Sequence, residues 1–319
     1  MSMKNTRKSG KSVSPTVELV ENKKLLRESI YEYRHFYLMF LPIFVLFLIF
    51  NYIPMIGVGI SFFDWGIFGA NEFVGLDNFK ALFSSKLFWR AFTNTLTLSF
   101  TNLVLSMVLS VGLAVMLDDL IGEKFKKLTQ TILYIPHFLS WVVVASIFTM
   151  FLSPRDGIIN KIIEYFGGTS IYFLVNKKWW TIIFLIINRW KETGWGTIIF
   201  IAALSGIDQE MYEAARIDGA TRIQRILYIT LPAIQGTILI VFVLNLAKIL
   251  NIFEPVLVLY NSSVLSVSDV LGTYVYRMGI LNQDYGMSTA AGLFKSVVSL
   301  VLVTAANRFS KRVNGEGIL

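Results

Sequence analysis

The sequence predicts an all-α membrane protein with six transmembrane helices, and three observations support this fold class. Apolar residues make up 55% of the 319 positions, charged residues only 16%, and the mean hydropathy is +0.61. Six windows reach the length of about 20 apolar residues that a helix needs to cross a bilayer with its backbone polar groups satisfied. Lysine and arginine are also divided unevenly between alternate loops.

The six apolar windows lie at about 36–63, 94–117, 128–152, 179–204, 233–260 and 287–306. The first three contain almost no charge, whereas the last three carry ionisable side chains at membrane depth, where such groups are costly. These residues are Arg189, Lys191, Glu192, Lys248, Glu254 and Lys295.

Basic residues predict the orientation, because they are retained on the cytoplasmic side during insertion. Seventeen fall in one set of segments, 1–35, 118–127, 205–232 and 307–319, and eight fall in the alternate set, 64–93, 153–178 and 261–286. Both termini are therefore expected in the cytoplasm. On a membrane protein we attribute the net charge of +8 to contact with acidic lipid headgroups and not to nucleic acid.

The chain is expected to form one membrane domain with short flanking segments. Residues 1–35 predict a cytoplasmic arm that ends in an interfacial helix, with Leu26, Ile30, Tyr33 and Tyr37 spaced for one face. Residues 36–310 form the six-helix domain, and 311–319 a cytoplasmic tail. In the outer loops, Asp77 is predicted to cap a short helix, 153–157 to form a turn, and 158–166 to form an amphipathic helix.

The sequence lacks the residue patterns of catalysis and of metal binding. It has no cysteine and only two histidines, and its one fragment of a phosphate-binding loop, Gly10-Lys11-Ser12, has no glycine at position 5. We therefore expect no metal, no cofactor and no ATP hydrolysis in this chain.

The most informative segment is 205–232, which we call the elbow. Asp208 is placed to cap a helix that ends at Asp218-Gly219, because glycine permits a left-handed turn. Thr221 and Gln224 form a capping-box pattern for a second helix, and Pro232 marks the return toward the membrane. The two helices form a face suited to docking into a partner's groove. Its residues are Glu213, Ala214, Ala215, Gly219 and Ala220.

The elbow sequence resembles a known family. Its Glu-Ala-Ala-x-x-Asp-Gly-Ala run at 213–220, followed by Ile229-x-Leu231-Pro232, is similar to the EAA coupling loop of permease subunits in binding-protein-dependent ABC importers. The order of Asn51-Tyr-Ile-Pro54, Phe73–Phe79, Asn94-Thr95 and the elbow resembles the sugar-transport branch over about 36–310. Two positions depart from the family pattern, where Ile226 replaces phenylalanine and Gly236 replaces a second proline.

This resemblance implies a type I ABC importer permease fold in the bacterial inner membrane. It implies a second homologous permease, two cytoplasmic ATPase subunits that hold ATP and Mg²⁺, and an extracytoplasmic sugar-binding protein. The residues implied in ATPase coupling are Glu213, Ala214, Ala215, Asp218, Gly219, Ala220, Leu231 and Pro232. Without the resemblance, the elbow would be an ordinary amphipathic linker between two spans.

The residues proposed to line the substrate path combine aromatic rings with polar and charged groups, as sugar sites do. They are Trp141, Asn188, Arg189, Trp190, Glu192, Trp195, Asn245, Lys248, Asn251 and Glu254. Trp179 and Trp180 are instead expected in the interfacial belt. Arg189 and Glu192, three residues apart, could pair with each other or contact substrate, and Lys191 could snorkel or meet a neighbouring subunit.

The charges inside the spans include four cations and two carboxylates, which favours a substrate that carries carboxylates, such as a uronic acid oligomer. An alternative is a secondary transporter or channel, driven by an ion gradient, in which these charges relay protons or sodium. That alternative leaves the elbow unexplained, and the sequence shows no internal repeat of the kind common in such transporters.

Overall fold

The computed structural model describes residues 31–66 and 72–314, which form helices joined by short connections and one two-stranded antiparallel sheet. The strands are β1 (Phe63–Asp64) and β2 (Glu72–Phe73). The helices before the elbow are α1 (Arg34–Phe62), α2 (Asp77–Ser84), α3 (Lys86–Asp118), α4 (Glu123–Tyr134), α5 (Trp141–Phe151), α6 (Ile158–Tyr165) and α7 (Lys177–Leu204). The elbow and the segments after it contain α8 (Gln209–Ile217), α9 (Arg222–Ala233), α10 (Gln235–Ala247), α11 (Glu254–Leu259), α12 (Leu265–Ser268), α13 (Leu271–Tyr276) and α14 (Tyr285–Asn314).

Of the described residues, those up to Val58 form one compact unit, and those from Gly59 onward form another. Most of α1 belongs to the first unit, and the side chains of residues 31–56 are exposed. The helix is apolar around its whole circumference, as a lipid-facing helix is. The predicted arm 1–25 and the first part of the interfacial helix lie outside the described residues.

Within the described residues, three helices are long and apolar enough to cross a membrane on their own, namely α1, α3 and Tyr285–Arg312 of α14. They confirm the first, second and sixth predicted spans and extend the second by eight residues at its start. The fourth predicted span is the continuous helix α7, which is long enough although its middle is charged. The third and fifth spans differ from the prediction.

The third predicted span, 128–152, is not one helix. The helical segment Glu123–Phe138 meets α5 at an angle of 101°, and Leu139 and Ser140 form the break. Pro136 contributes to the break because it has no backbone N–H and its ring crowds the preceding turn. Ser140 then starts α5, and its hydroxyl accepts a hydrogen bond from the Val143 amide at 3.3 Å.

The fifth predicted span, 233–260, is interrupted twice. Helices α9 and α10 meet at 62° around Ile234, just after Pro232, so the bend forms without a proline at Gly236. Helix α10 then ends at Ala247, and α11 begins only at Glu254, with Pro255 in its first turn. Residues 248–253 are therefore a non-helical segment between two helices, which we call the 248–253 break.

Helices α3 and α7 pack against each other along much of their length, and small residues allow the close approach. A Cβ at Gly196 would meet the Ser110 hydroxyl at 2.6 Å. The same Ser110 hydroxyl donates to the Thr193 carbonyl at 3.4 Å. On another face of α7, a Cβ at Gly194 would overlap the Leu133 carbonyl of α4. Glycine at 194 therefore sets how closely α4 approaches α7.

The segment after α11 is fastened to α3 by the residues of the Asn94-Thr95 pair. The Asn94 side-chain amide donates to the carbonyls of Ser266 and Asp269, at 3.2 and 3.0 Å. The Thr95 hydroxyl accepts from the Leu271 amide at 2.7 Å. These carbonyls and this amide lie at helix ends, where they have no partner within a helix, and the side chains of Asn94 and Thr95 satisfy them. The pair therefore has a structural role in this chain.

Asp269 is nearly fully buried and is neutralised by one arginine. Its two carboxylate oxygens accept from Arg277 at 3.0 and 2.6 Å. This hydrogen bonding raises the pKa of the Arg277 guanidinium above its ordinary value, so the arginine stays charged at any physiological pH. The ion pair holds the start of α13 in place.

Two local predictions are wrong and two are confirmed. Asp77 does not cap α2, because Leu76 holds the cap position and Asp77 lies in the first turn, 2.7 Å from Lys80. Trp180 is not an interfacial residue, since it is 1% exposed and its indole N–H donates to the Leu259 carbonyl at 2.9 Å. The turn at 153–157 and the amphipathic helix after it, α6, are observed as predicted.

We expect Gly194→Ala to lower stability by about 1–3 kcal/mol, because the added methyl group forces the α4 backbone away from α7. The control is Gly112→Ala, since a Cβ at Gly112 meets nothing within 4 Å. That change should be neutral or stabilise by up to about 1 kcal/mol. The thermal midpoint of the detergent-solubilised protein, followed by fluorescence-detected size-exclusion chromatography, distinguishes the two. Equal midpoints would contradict the packing described.

Candidate functional site

The first helix of the elbow is capped at both ends. The Asp208 carboxylate accepts from the Glu210 amide at 3.0 Å, as the sequence predicts. At the other end Gly219 has a φ of +75°. The Ala220 amide donates to the Ala215 carbonyl at 2.9 Å and the Gly219 amide to the Arg216 carbonyl at 3.1 Å, which is a Schellman motif.

The second helix of the elbow begins with the predicted capping box. The Thr221 amide donates to the Gln224 side-chain oxygen at 2.7 Å, and the Gln224 amide to the Thr221 hydroxyl at 3.4 Å. Ile226, one of the two departures from the family pattern, starts a π-helical turn that runs to Thr230. Such turns widen a helix locally and are frequent at functional sites.

The predicted coupling residues lie on an open surface. Glu213, Ala214, Asp218 and Gly219 are exposed, and a Cβ at Gly219 would meet nothing within 4 Å. Leu231 and Pro232 lie at the far end of α9, where the chain bends into α10, so they shape the elbow's base. The arrangement presents a small-residue face that another protein can approach closely.

Four of the predicted path residues come together in a cavity of about 310 Å³, which we call the Arg189 cavity. They are Arg189, Asn245, Lys248 and Asn251. Helix α7 supplies the arginine, and the end of α10 with the 248–253 break supplies the others. Opposite them, α3 contributes Ser99, Asn102 and Ser106, which the sequence analysis missed. Their spacing of three and four residues is the signal that could have found them.

Arg189 is only 9% exposed, yet its Nε and Nη1 atoms are buried without a hydrogen-bond partner among the described residues. The same holds for the side-chain carbonyl oxygen of Asn102 and the hydroxyl of Ser99. A buried polar group without a partner costs about 1–3 kcal/mol, so groups of this kind are expected to meet a water molecule, an ion or a ligand.

A second cavity of about 780 Å³ lies on the other side of the 248–253 break, and we call it the Lys295 cavity. Asn251 contributes to both cavities. The wall from α13 and α14 includes Tyr276, Tyr285 and Lys295. None of the residues that line either cavity is an aspartate or a glutamate. The linings of both cavities therefore carry cations but no carboxylate.

Three other predicted path residues gather elsewhere, around His137, in what we call the His137 cluster. The His137 ring stacks on Trp195 with centroids 4.5 Å apart, and its Nδ1 lies 2.8 Å from a Glu192 carboxylate oxygen. Lys191 donates to the His137 carbonyl at 2.6 Å, lies 3.3 Å from Glu192 and faces the Trp141 ring at 5.3 Å. The cluster joins the bend before α5 to α7.

The His137 cluster bears on two alternatives that the sequence left open, the pairing of Arg189 with Glu192 and the position of Lys191. Glu192 is held by His137 at 2.8 Å and by Lys191 at 3.3 Å, and within the described part of the chain no ion pair joins it to Arg189. Lys191 does not snorkel, because its side chain is 5% exposed and bonded within the chain. Arg189 forms no ion pair among the described residues and lines its own cavity.

The remaining predicted path residues do not join either group. Asn188 is buried and its amide donates to the Phe184 carbonyl within α7 at 2.8 Å. Trp190 packs edge-on against Phe148 at 5.3 Å. Glu254 is an exposed residue in the first turn of α11. Among the described residues, no group of three or more histidine, aspartate or glutamate side chains could hold a metal ion.

Comparison with known proteins identifies similar chains over most of this length. The model of the family described as "binding-protein-dependent transport system inner membrane component" matches residues 106–315. The polygalacturonan/rhamnogalacturonan transport system permease protein YteP of Bacillus subtilis is 39% identical over 98% of this chain and 99% of its own. Protein LplB of the same organism is 43% identical over 88% of this chain and 90% of its own.

Two solved structures are similar in fold and in sequence. One is a bacterial ABC transporter involved in the import of the acidic polysaccharide alginate, with a TM-score of 0.85 and 40% identity over 91% of this chain and 99% of that chain. The other is the bacterial alginate ABC transporter in complex with an alginate pentasaccharide-bound periplasmic protein, with a TM-score of 0.85 and 39% identity over the same shares.

We expect Thr221→Ala to destabilise the start of α9 by about 0.5–2 kcal/mol, because it removes the hydroxyl that accepts from the Gln224 amide. Hydrogen exchange of the amides at 222–226 should become correspondingly faster. The control is Thr131→Ala, an exposed threonine whose hydroxyl bonds only to the Lys127 carbonyl within its own helix. Unchanged exchange at 222–226 would show that the capping box does not stabilise the elbow.

Proposed function

The chain belongs to the family of binding-protein-dependent transport system inner membrane components, and from this premise we propose that it is the permease of an ATP-driven importer of uronate-containing oligosaccharides. It would form half of the translocation path, with a second homologous permease as the other half. Two ATPase subunits and an extracytoplasmic binding protein complete the proposed assembly. The chain itself contributes no catalytic group.

The choice of substrate rests on the guanidinium of Arg189, which is buried and has unsatisfied hydrogen-bond donors within the described residues. Its Nε and Nη1 atoms are buried at the wall of a cavity without a hydrogen-bond partner in the part of the chain that the structure describes, and Lys248 lines the same cavity. A guanidinium presents a planar fork of donors that matches a carboxylate, and such charge-assisted hydrogen bonds are stronger than neutral ones. A sugar with a carboxylate would satisfy the arginine, whereas a neutral sugar would leave its charge uncompensated.

The polar groups around Arg189 support a sugar over a simple anion. Ser99, Asn102, Asn245 and Asn251 supply hydroxyl and amide groups in the same cavity, and these donate to and accept from sugar hydroxyls. The relatives support the same substrate class. A permease that is 39% identical is named for polygalacturonan and rhamnogalacturonan transport, and a structure that is 40% identical is of an alginate importer.

We propose alternating access as the mechanism. ATP binding closes the ATPase dimer, and the elbow, seated in a cleft of one ATPase, moves with it. The bends between α9 and α10 and at the 248–253 break divide this part of the chain into short rigid segments, so a displaced elbow can tilt the cavity walls. ATP binds the closed state better than the open state, and this difference in binding drives the change.

The alternative, a transporter or channel driven by an ion gradient, has less support. A proton or sodium relay needs carboxylates along the path. Here Glu192 is held by His137 and Lys191, Glu254 is exposed, and neither cavity has an acidic lining residue. Transport that continued in vesicles without ATPase subunits would favour the alternative.

We expect Arg189→Gln to raise the apparent KM of the assembled transporter for a uronate oligosaccharide by about ten- to a hundred-fold, the loss of one charge-assisted contact. Uptake into proteoliposomes measures this. The control is Arg308→Gln, the same change at an exposed arginine outside both cavities. Uptake of neutral and uronic oligosaccharides at equal rates by the wild type would count against the proposed substrate class.

We expect Gly219→Asp to abolish substrate-stimulated ATP hydrolysis and ATPase association, because a charged side chain would fill the small-residue face at the proposed interface. The control is Gly167→Asp, since Gly167 also has a positive φ, +80°, open space around its Cβ position and the same pair of Schellman hydrogen bonds, at the end of α6. Both changes impose a similar backbone strain of about 1 kcal/mol. If both variants kept their ATPase subunits, the elbow would not be the coupling site.

A further inference from the structure

A third cavity lies between the elbow and the adjoining ends of α3 and α7. Its volume is about 460 Å³, within the usual range for small-ligand sites. The walls come from the last residues of α3, from Leu204 of α7 and from both elbow helices. We call it the elbow cavity, and its charged and hydroxyl-bearing lining residues include Asp118, Asp119, Arg216, Arg222, Arg225 and Thr230.

The two acidic residues of the elbow cavity are already neutralised. Asp119 accepts from Arg222, whose Nε and Nη2 atoms lie 2.8 and 2.7 Å from one carboxylate oxygen. Asp118 is paired with Lys126 of α4 at 3.1 Å, and the same lysine donates to the Asp118 carbonyl. The acids therefore do not compensate the other cations of this cavity.

Two arginines are left without an acidic partner among the described residues. Arg216 comes from α8 and Arg225 from α9, and neither forms an ion pair there. The Nε atom of Arg225 is buried and has no hydrogen-bond partner within the described part of the chain. A buried guanidinium N–H is a strong donor, and it is expected to find an acceptor.

The elbow cavity is separate from the small-residue face of the elbow. Tyr212 and Arg216, four residues apart on one side of α8, line the cavity, whereas a Cβ at Gly219 meets nothing within 4 Å. The Tyr212 and Thr230 hydroxyls bond to each other at 2.9 Å and join the two elbow helices at the cavity wall. A ligand can therefore occupy the cavity while the elbow is docked on its open side.

We propose that the elbow cavity binds a phosphate-bearing anion through Arg216 and Arg225. Arginine recognises phosphate oxygens by paired N–H donors, and two arginines from two helices would hold one such group from two directions. The cavity lies at the ends of helices that cross the membrane, so the phosphate belongs either to the headgroup of an anionic phospholipid or to a free anion. Either ligand would bridge α8 and α9 and stiffen the elbow.

The test uses the whole transporter, with its second permease and its ATPase subunits, in the absence of ATP. The thermal midpoint is measured in detergent with inorganic phosphate against chloride at matched ionic strength. It is measured again in nanodiscs of phosphatidylcholine with and without phosphatidylglycerol. The variants are Arg225→Gln and, in case that change impairs folding, Arg216→Gln, which alters an exposed side chain. The matched control is Lys124→Gln, an exposed cation of α4 that does not line the cavity.

We expect the ligand to raise the thermal midpoint of the wild type and of the Lys124→Gln control. In the two arginine variants the apparent affinity for the ligand should fall by about ten-fold or more, so that the rise is lost at the same ligand concentration. A rise with phosphate in detergent identifies a free anion as the ligand, and a rise only with phosphatidylglycerol identifies a lipid headgroup. No rise in either setting, or an equal rise in the arginine variants, overturns the proposal. The readout is binding and not transport, so its failure would leave the proposed substrate unaffected.

Discussion

The constraint on which the structure depends is that every backbone polar group within the membrane domain needs a partner, even where a helix stops. Helix interruptions in this chain are accompanied by side chains that reach across to free carbonyls. Lys191 donates to the His137 carbonyl beside the bend before α5, and Trp180 donates to the Leu259 carbonyl at the end of α11. Asn94 donates to two carbonyls of the segment before α13. Lys191, which the sequence presents as a charge inside a span, and Trp180, which it presents as an interfacial aromatic, therefore both satisfy backbone carbonyls.

The same interruptions create the cavities. The 248–253 break separates the Arg189 cavity from the Lys295 cavity, and Asn251 faces both. A continuous helix would have filled this space with its own side chains. The His137 cluster has a second effect, because it engages Glu192, the one acid of α7, in contacts with His137 and Lys191. Arg189 therefore forms no ion pair with Glu192 among the described residues, although the two charges still attract each other.

Much of the fold and of the elbow could be predicted from the sequence, because the physics involved is local. Hydropathy acts over about 20 residues, and the caps at Asp208, Gly219 and Thr221 depend on neighbours within four positions. The charged residues behaved differently. Glu192 pairs with a histidine 55 positions away, and no pattern along α7 indicates that partner. The spacing of Ser99, Asn102 and Ser106 along α3 is visible in the sequence. Their place in the Arg189 cavity is seen only once the helices that face α3 are known.

The two capped ends of α8 have a mechanical consequence. A short helix under load frays first at its termini, where the fewest hydrogen bonds must break, and a frayed turn absorbs displacement. Here the carboxylate of Asp208 secures one terminus and the Schellman pair around Gly219 secures the other. Helix α8 is therefore braced at both ends, and a displacement of one end moves the other with little loss to fraying.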